Sequence, residues 1–394
     1  MDTFERLHQT MEQAVCECEV AGVNLLVEKD GRELYYGQAG MADREAGRLM
    51  ERDTILRLYS QTKPVTAAAI MILMERGMID LCQPLSDFIP EYGKVKVFRK
   101  GEAVPCETPV RIHDLLNMTS GMIYPEEGTA SGLLVNKVFD EALGRLGTQQ
   151  EMTTMEIAKK LAACPLAHVP GESWHYGTSA DILGAVVEAV TGERFGEFLR
   201  KEIFEPLGMK DTAFWVPAEK QNRLAAAYET ITGEDGSRSL VRYKGDNLAV
   251  RCDMSSEPAF EAGGAGLVST LDDYMRFARM LLMEGEEAGA RILQPRTVRF
   301  MTGGRLMKCQ QKAFEKWTGL EGFTYANLMR ICRNPSQSCV FAQKGEYGWD
   351  GWLGAYFANF PKERLTILMG IQKVNAGTFT LTRKLRNLIL CELT

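Results

Sequence analysis

Gly354-Ala355-Tyr356-Phe357-Ala358-Asn359-Phe360, then Pro361-Lys362-Glu363-Arg364, then Leu365-Thr366-Ile367-Leu368-Met369-Gly370-Ile371 is the stretch on which the reading of the fold rests. Two apolar runs rich in aromatic and β-branched residues stand on either side of a short polar turn, which is the pattern of an antiparallel hairpin. The helical spacing of apolar residues over 380–390 adds a helix after it. The other end of the chain mirrors this arrangement. Phe4, Leu7, Met11 and Ala14 fall on one face of a helix over residues 1–15, with Asp2 placed to cap it. Residues 23–27 and 33–36 then flank Asp30-Gly31, a strong hairpin-turn signal. A helix and a hairpin at each end imply one sheet assembled from both termini.

The middle reads as helical. Residues 64–76 are apolar on nearly every face and stop at Gly77, so they form a buried helix with a glycine C-terminal stop. Residues 180–191 repeat that pattern and stop at Gly192. A third helix over 272–284 is preceded by Thr270 as cap and ended by Gly285. The expected fold is therefore α/β (α+β): an antiparallel sheet flanked by helices, plus a mostly helical inserted domain. The expected division gives residues 1–60 and 262–394 to the sheet domain and 61–261 to the helical one. Residues 303–348 read as loop and as a candidate cover for a site.

Composition narrows the chemistry. The 394 residues carry 46 Lys and Arg against 52 Asp and Glu, a net charge of −6, which argues against a nucleic-acid partner. Ten cysteines without a disulfide-like spacing suggest reduced thiols, and only four histidines leave little for a metal centre or a His-driven triad. No basic start with an apolar stretch marks a signal peptide, and the longest purely apolar run, 67–74, is far too short for a membrane span. A cytoplasmic protein with no cofactor, no metal and no membrane partner is expected.

One four-residue pattern carries the chemistry: Ser60-Gln61-Thr62-Lys63. Positions three apart share a helix face, so Lys63 can reach the Ser60 hydroxyl. A lysine whose pKa is depressed by burial can replace histidine as the base for a serine nucleophile. Taken alone, the pattern fits a surface Ser–Lys pair at a helix start better. Tyr176, in a Gly-containing loop before the second buried helix, is a candidate proton carrier; as a packed aromatic it would leave Thr178 or Ser179 to cap that helix. His175 is a rival base or a structural neighbour. In Gly348-Trp349-Asp350-Gly351-Trp352-Leu353-Gly354 the glycines allow close backbone approach. A main-chain N–H there could join that of Ser60 as an oxyanion hole. The two tryptophans could equally be core anchors, and Asp350 a turn residue or the partner of an arginine. The Gly-x-Ser-x-Gly elbow, the phosphate loop, the dinucleotide fingerprint and zinc patterns are all missing.

In order along the chain, Ser60-Gln61-Thr62-Lys63-Pro64, the stretch from Arg111 to Gly121, Pro170-Gly171-Glu172-Ser173-Trp174-His175-Tyr176, the stretch from Phe204 to Met209, the one from Gly263 to Thr270, and the one from Gly348 to Trp352 together resemble the penicillin-recognising serine hydrolases. The resemblance is closest to the class C β-lactamase-like branch and its family VIII carboxylesterases. It implies a β-lactamase-like fold with the active site between the two domains. It makes Ser60 the acylated nucleophile, Lys63 its base partner and Tyr176 the proton relay. Thr178 stands where the family usually has a substrate-contacting Asn. Trp349-Asp350-Gly351 replaces the Lys or His before a small residue and Gly in lactamases, and Trp352 would supply the second oxyanion N–H. An indole in place of a cation removes attraction for a substrate carboxylate, and Asp350 would repel one. The expected activity is hydrolysis of small neutral esters. A D-amino-acid amidase or peptidase, a β-lactamase, an acyltransferase and a catalytically silent binding protein are the alternatives.

Overall fold

The computed structural model describes residues 2–236, 238–316, 319–377 and 379–392. Its largest element is an eight-stranded sheet in the order 323–326, 329–332, 347–350, 356–360, 365–371, 22–29, 32–43 and 48–49. All neighbouring pairs are antiparallel. The two hairpins foreseen at the chain ends meet in the middle, where Val23 to Lys29 lie opposite Ile371 to Leu365.

Alternation along the central strands explains why they bury both faces. Val23, Leu25 and Val27 point to one side with Leu365, Ile367, Met369 and Ile371, against Leu7 and Met11 of the helix Thr3–Cys16 and Leu381, Leu385 and Ile389 of the helix Thr380–Glu392. Leu26, Phe357 and Leu368 point the other way, into the main core with the helix Leu271–Leu282. Each such side chain contributes about 1.5–3 kcal/mol when fully buried. Asp2 caps the first helix by accepting from the Glu5 N–H at 2.8 Å, and Thr270 caps Leu271–Leu282 through the Asp273 N–H.

The middle of the chain holds the two buried helices Lys63–Glu75 and Ser179–Thr191, which pack on each other. They stop at Gly77 and Gly192, whose φ values of 66° and 72° are left-handed and favour glycine. This region is less purely helical than the sequence suggests. Small hairpins pair Lys96–Arg99 with Glu102–Pro105 and Ala227–Thr232 with Arg238–Tyr243.

The reading of 303–348 as loop is corrected. The stretch contains the helix Lys308–Phe314 and two sheet strands, Phe323–Ala326 and Met329–Cys332. Those strands are joined by Asn327 and Leu328, both at positive φ (47° and 63°). That is the two-residue hairpin turn whose usual sequence is Asn-Gly. The Leu328 N–H then docks on the Leu116 carbonyl, fixing this sheet edge to the helical region.

Candidate active site

Ser60 lies on a single 3-10 turn, Tyr59–Thr62, that runs directly into the helix Lys63–Glu75. The preceding residues Leu56 and Arg57 pair with Val268 and Ser269, and the Leu58 N–H bonds the Leu267 carbonyl at 2.9 Å. Leu267 in turn donates to the Thr62 hydroxyl at 3.1 Å, and the Tyr274 hydroxyl donates to the Gln61 carbonyl at 2.9 Å. Between these anchors Tyr59 takes a left-handed φ of 45°. Such a conformation costs on the order of 1–3 kcal/mol in a non-glycine residue and persists only where the surroundings hold it. The Tyr59 ring is buried against the edge of Trp352, with centroids 5.0 Å apart.

Lys63 is fully buried. Its ammonium nitrogen donates to Ser60 Oγ at 3.1 Å, to Tyr124 Oη at 3.0 Å and to the Gly264 carbonyl at 2.7 Å. Burial pushes its pKa down to about 7, with Asp181 pulling the other way. Asp181, also buried, accepts from the Gly264 N–H at 2.8 Å and is hydrogen-bonded to the Tyr124 hydroxyl. Burial raises its pKa to about 6, and Lys63 opposes the rise. A Cβ on Gly264 would stand 2.6 Å from Tyr124 Oη and 3.0 Å from both Asp181 oxygens, so only glycine lets its backbone serve Lys63 and Asp181 together.

On the other side of Ser60, Tyr176 is in hydrogen-bond contact with the serine and accepts the Trp349 indole N–H at 3.0 Å. Its pKa is well above the ordinary phenol value because it is buried. Gly177 holds this segment against Met122 and Ile123; a Cβ there would come within 2.3 Å of the Met122 carbonyl oxygen. Trp349 lies in the strand Tyr347–Asp350. Beyond it, Gly351 passes so close to the turn carrying Ser60 that a Cβ would lie 2.2 Å from the Leu58 carbonyl oxygen. The Gly351 N–H bonds the Ala355 carbonyl and the Gly354 N–H bonds the Gly351 carbonyl, the two bonds of the turn that carries Trp352. The Trp352 indole donates to Asn375 Oδ1 at 2.7 Å.

These elements border a cavity of about 620 Å³ whose lining includes Ser60, Tyr176, Trp349, Trp352, Leu248, Leu320 and Arg383. Ser60, Lys63, Tyr176, Trp349, Gly351 and Trp352 are therefore brought together.

Three candidates turn out differently. Thr178 starts the helix Ser179–Thr191, is buried, and stands outside the cavity lining among the described residues; its side chain forms no cap bond. Asp350 borders the cavity but is held by Arg330 at 2.6 Å, both side chains largely buried, so its charge is offset rather than presented to a substrate. The reading of Asp350 as an arginine partner is the one observed. His175 faces Glu126 at 3.4 Å instead of the serine.

Tyr124 and Asp181 were not singled out from the sequence. Their part arises from three segments meeting, for which no local spacing gives a signal.

A profile of the beta-lactamase family matches residues 7–389. Esterase EstB of Burkholderia gladioli is 37% identical over 289 residues, covering 69% of this chain and 68% of EstB. Protein Rv1367c of Mycobacterium tuberculosis (strain ATCC 25618 / H37Rv) is 33% identical over 359 residues, 89% of this chain and 84% of that one. Among solved structures, EstCE1, described as a hydrolase with promiscuous acyltransferase activity, superposes with a TM-score of 0.81 at 23% identity over 98% of both chains. The fold is thus that of the β-lactamases and penicillin-binding-protein homologues. The chain belongs to the beta-lactamase family and is a serine hydrolase.

Proposed function

We propose that this hydrolase is a carboxylesterase that forms an acyl-enzyme on Ser60 and acts on small neutral esters. Lys63 takes the proton as Ser60 Oγ attacks the ester carbonyl carbon. The oxyanion then sits between the main-chain N–H groups of Ser60 and Trp352. Tyr176 delivers a proton to the departing alkoxide and takes the one held by Lys63, which leaves the acyl group on Ser60 and Lys63 neutral again. Water, entering through the same cavity, gives its proton to Lys63 as it attacks the acyl carbonyl, and Ser60 Oγ regains that proton by the same relay as the acid is freed.

The observation that carries this reading is Trp349. Where lactamases put a cation, this chain has an indole whose N–H is spent on Tyr176 and whose ring walls the cavity. With Asp350 paired to Arg330, this strand offers a substrate carboxylate no attraction, which supports neutral esters as substrates; the cation in the lining, Arg383, comes from the C-terminal helix instead. The likeness to an esterase supports the same reading. Acyl transfer to an alcohol is the second reading, favoured by the roomy, largely apolar cavity and by the described activity of EstCE1.

We further place the site between a sheet domain of residues 1–60 with 262–394 and a helical domain of residues 61–261. The free state of all ten cysteines supports a cytoplasmic location. No described helix is long and apolar enough to cross a membrane.

The test is one panel of p-nitrophenyl acetate and butyrate, a D-amino-acid amide and nitrocefin, with and without an alcohol acceptor. The short esters are expected to be the best substrates, and Ser60→Ala to lower kcat/KM by at least about ten-thousandfold and to abolish labelling by a fluorophosphonate. Faster turnover of nitrocefin or of the amide than of the esters would overturn the esterase reading.

A further inference from the structure

Asp181 is a buried carboxylate that reaches Ser60 only through other residues. Its partners are the Gly264 N–H at 2.8 Å, its own main-chain N–H and the Tyr124 hydroxyl. All are donors, so the site is built for an ionised acceptor. Lys63 shows the complement: three N–H bonds and three acceptors, namely Ser60 Oγ, Tyr124 Oη and the Gly264 carbonyl. Tyr124 and Gly264 are common to both sets. Tyr124 accepts from Lys63 and is bonded to Asp181, while Gly264 offers its carbonyl to one and its N–H to the other. The ionisable groups that face Asp181 are Lys63 from the nucleophile helix, Tyr124 from the loop after Gly121, and Tyr176 from the segment before its own helix.

We propose that Asp181 is a positioning residue whose charge, relayed through the Tyr124 hydroxyl, holds the proton and the orientation of Lys63 and so sets the pH at which Lys63 becomes the free base for Ser60. The inference rests on the Ser60 reading and adds to it a residue that touches neither substrate nor nucleophile. The sign follows from electrostatics. A buried lysine loses its proton near neutrality because burial disfavours the ammonium, and the Asp181 carboxylate works against that loss. Ester hydrolysis should therefore rise as pH increases through about 7, where Lys63 deprotonates. Removing the carboxylate removes the restraint, and the rise moves to lower pH.

The experiment is the pH profile of kcat/KM for p-nitrophenyl acetate in the wild type, Asp181→Asn and Tyr124→Phe, with a melting curve for each. Asparagine keeps the shape and one acceptor for the Gly264 N–H. Its acid limb is expected to shift down by roughly one pH unit, the size typical of losing an opposite charge a few ångströms away. Tyr124→Phe cuts the bridge and should shift the limb in the same direction. An unmoved acid limb in the folded Asp181→Asn variant, whatever its plateau rate, would overturn the proposal. Should that variant fail to fold, an unmoved limb in Tyr124→Phe does so equally. The Ser60 reading fails separately, through ester hydrolysis that survives Ser60→Ala.

Discussion

On the helical side of Ser60, charge is kept inside: Lys63, Tyr124 and Asp181 form a buried chain whose two ionic ends are joined through a phenol. On the sheet side, Trp349 and Trp352 present rings to the cavity, the Asp350 carboxylate is paired with Arg330, and Arg383 adds a cation to the lining. The two halves divide the work. In the proposed mechanism the helical half manages the proton of Ser60, where low exposure makes small electrostatic changes large. The sheet half would select what is acylated, because the rings of Trp349 and Trp352 line the cavity.

That division is open to test by variants on each side. The largest effect is expected on the helical side: Lys63→Met, which fills the space without a base, should lower kcat for p-nitrophenyl acetate by a hundred- to ten-thousandfold, with KM little changed. A drop in binding instead of turnover would mean that Lys63 belongs to the selecting half. Next comes the seam between the halves. Gly351→Ala places a methyl against the Leu58 carbonyl and must push the Trp352 turn away from Ser60. A displacement near 1 Å typically costs roughly a hundredfold in rate, and steady-state kinetics beside a melting curve would separate it from unfolding. The smallest effect is expected on the sheet side. Trp349→Phe keeps a wall and removes the donor to Tyr176, so kcat should fall several-fold, the worth of about one hydrogen bond. Preference for neutral over anionic esters should survive, and losing it would tie selection to the indole N–H rather than to the apolar ring.

The parts of the fold that were legible were those written in local pattern. Asp30-Gly31, the glycine stops at Gly77 and Gly192, and the apolar runs of 23–27 and 365–371 beside their turns each have a short-range cause. The hairpin at 323–332 was missed because Leu328 occupies a left-handed position where glycine is the usual signal, and its docking on Leu116 is long-range. In the site, Ser60 and Lys63 share one helical turn, so their meeting could be read directly. The meeting of Tyr124, Asp181 and Gly264 depends on three segments between 124 and 264 closing on one lysine, and nothing in the spacing of any one of them announces it. Thr178 shows the reverse case, in which a position matched by motif is turned into the core by the helix it begins.

The pairing of residues 23–29 with 365–371 has a consequence for synthesis. The strand of residues 22–29 is made more than three hundred residues before its partner at 365–371. Until that partner is made, one edge of the hairpin of residues 22–43 has no strand to pair with, a template of the kind that invites association between nascent chains. Trp349 and Trp352, carried just ahead of that late partner, arrive only as the sheet closes. Ser60 therefore gains the cavity wall formed by Trp349 and Trp352 only after some three hundred further residues have been made.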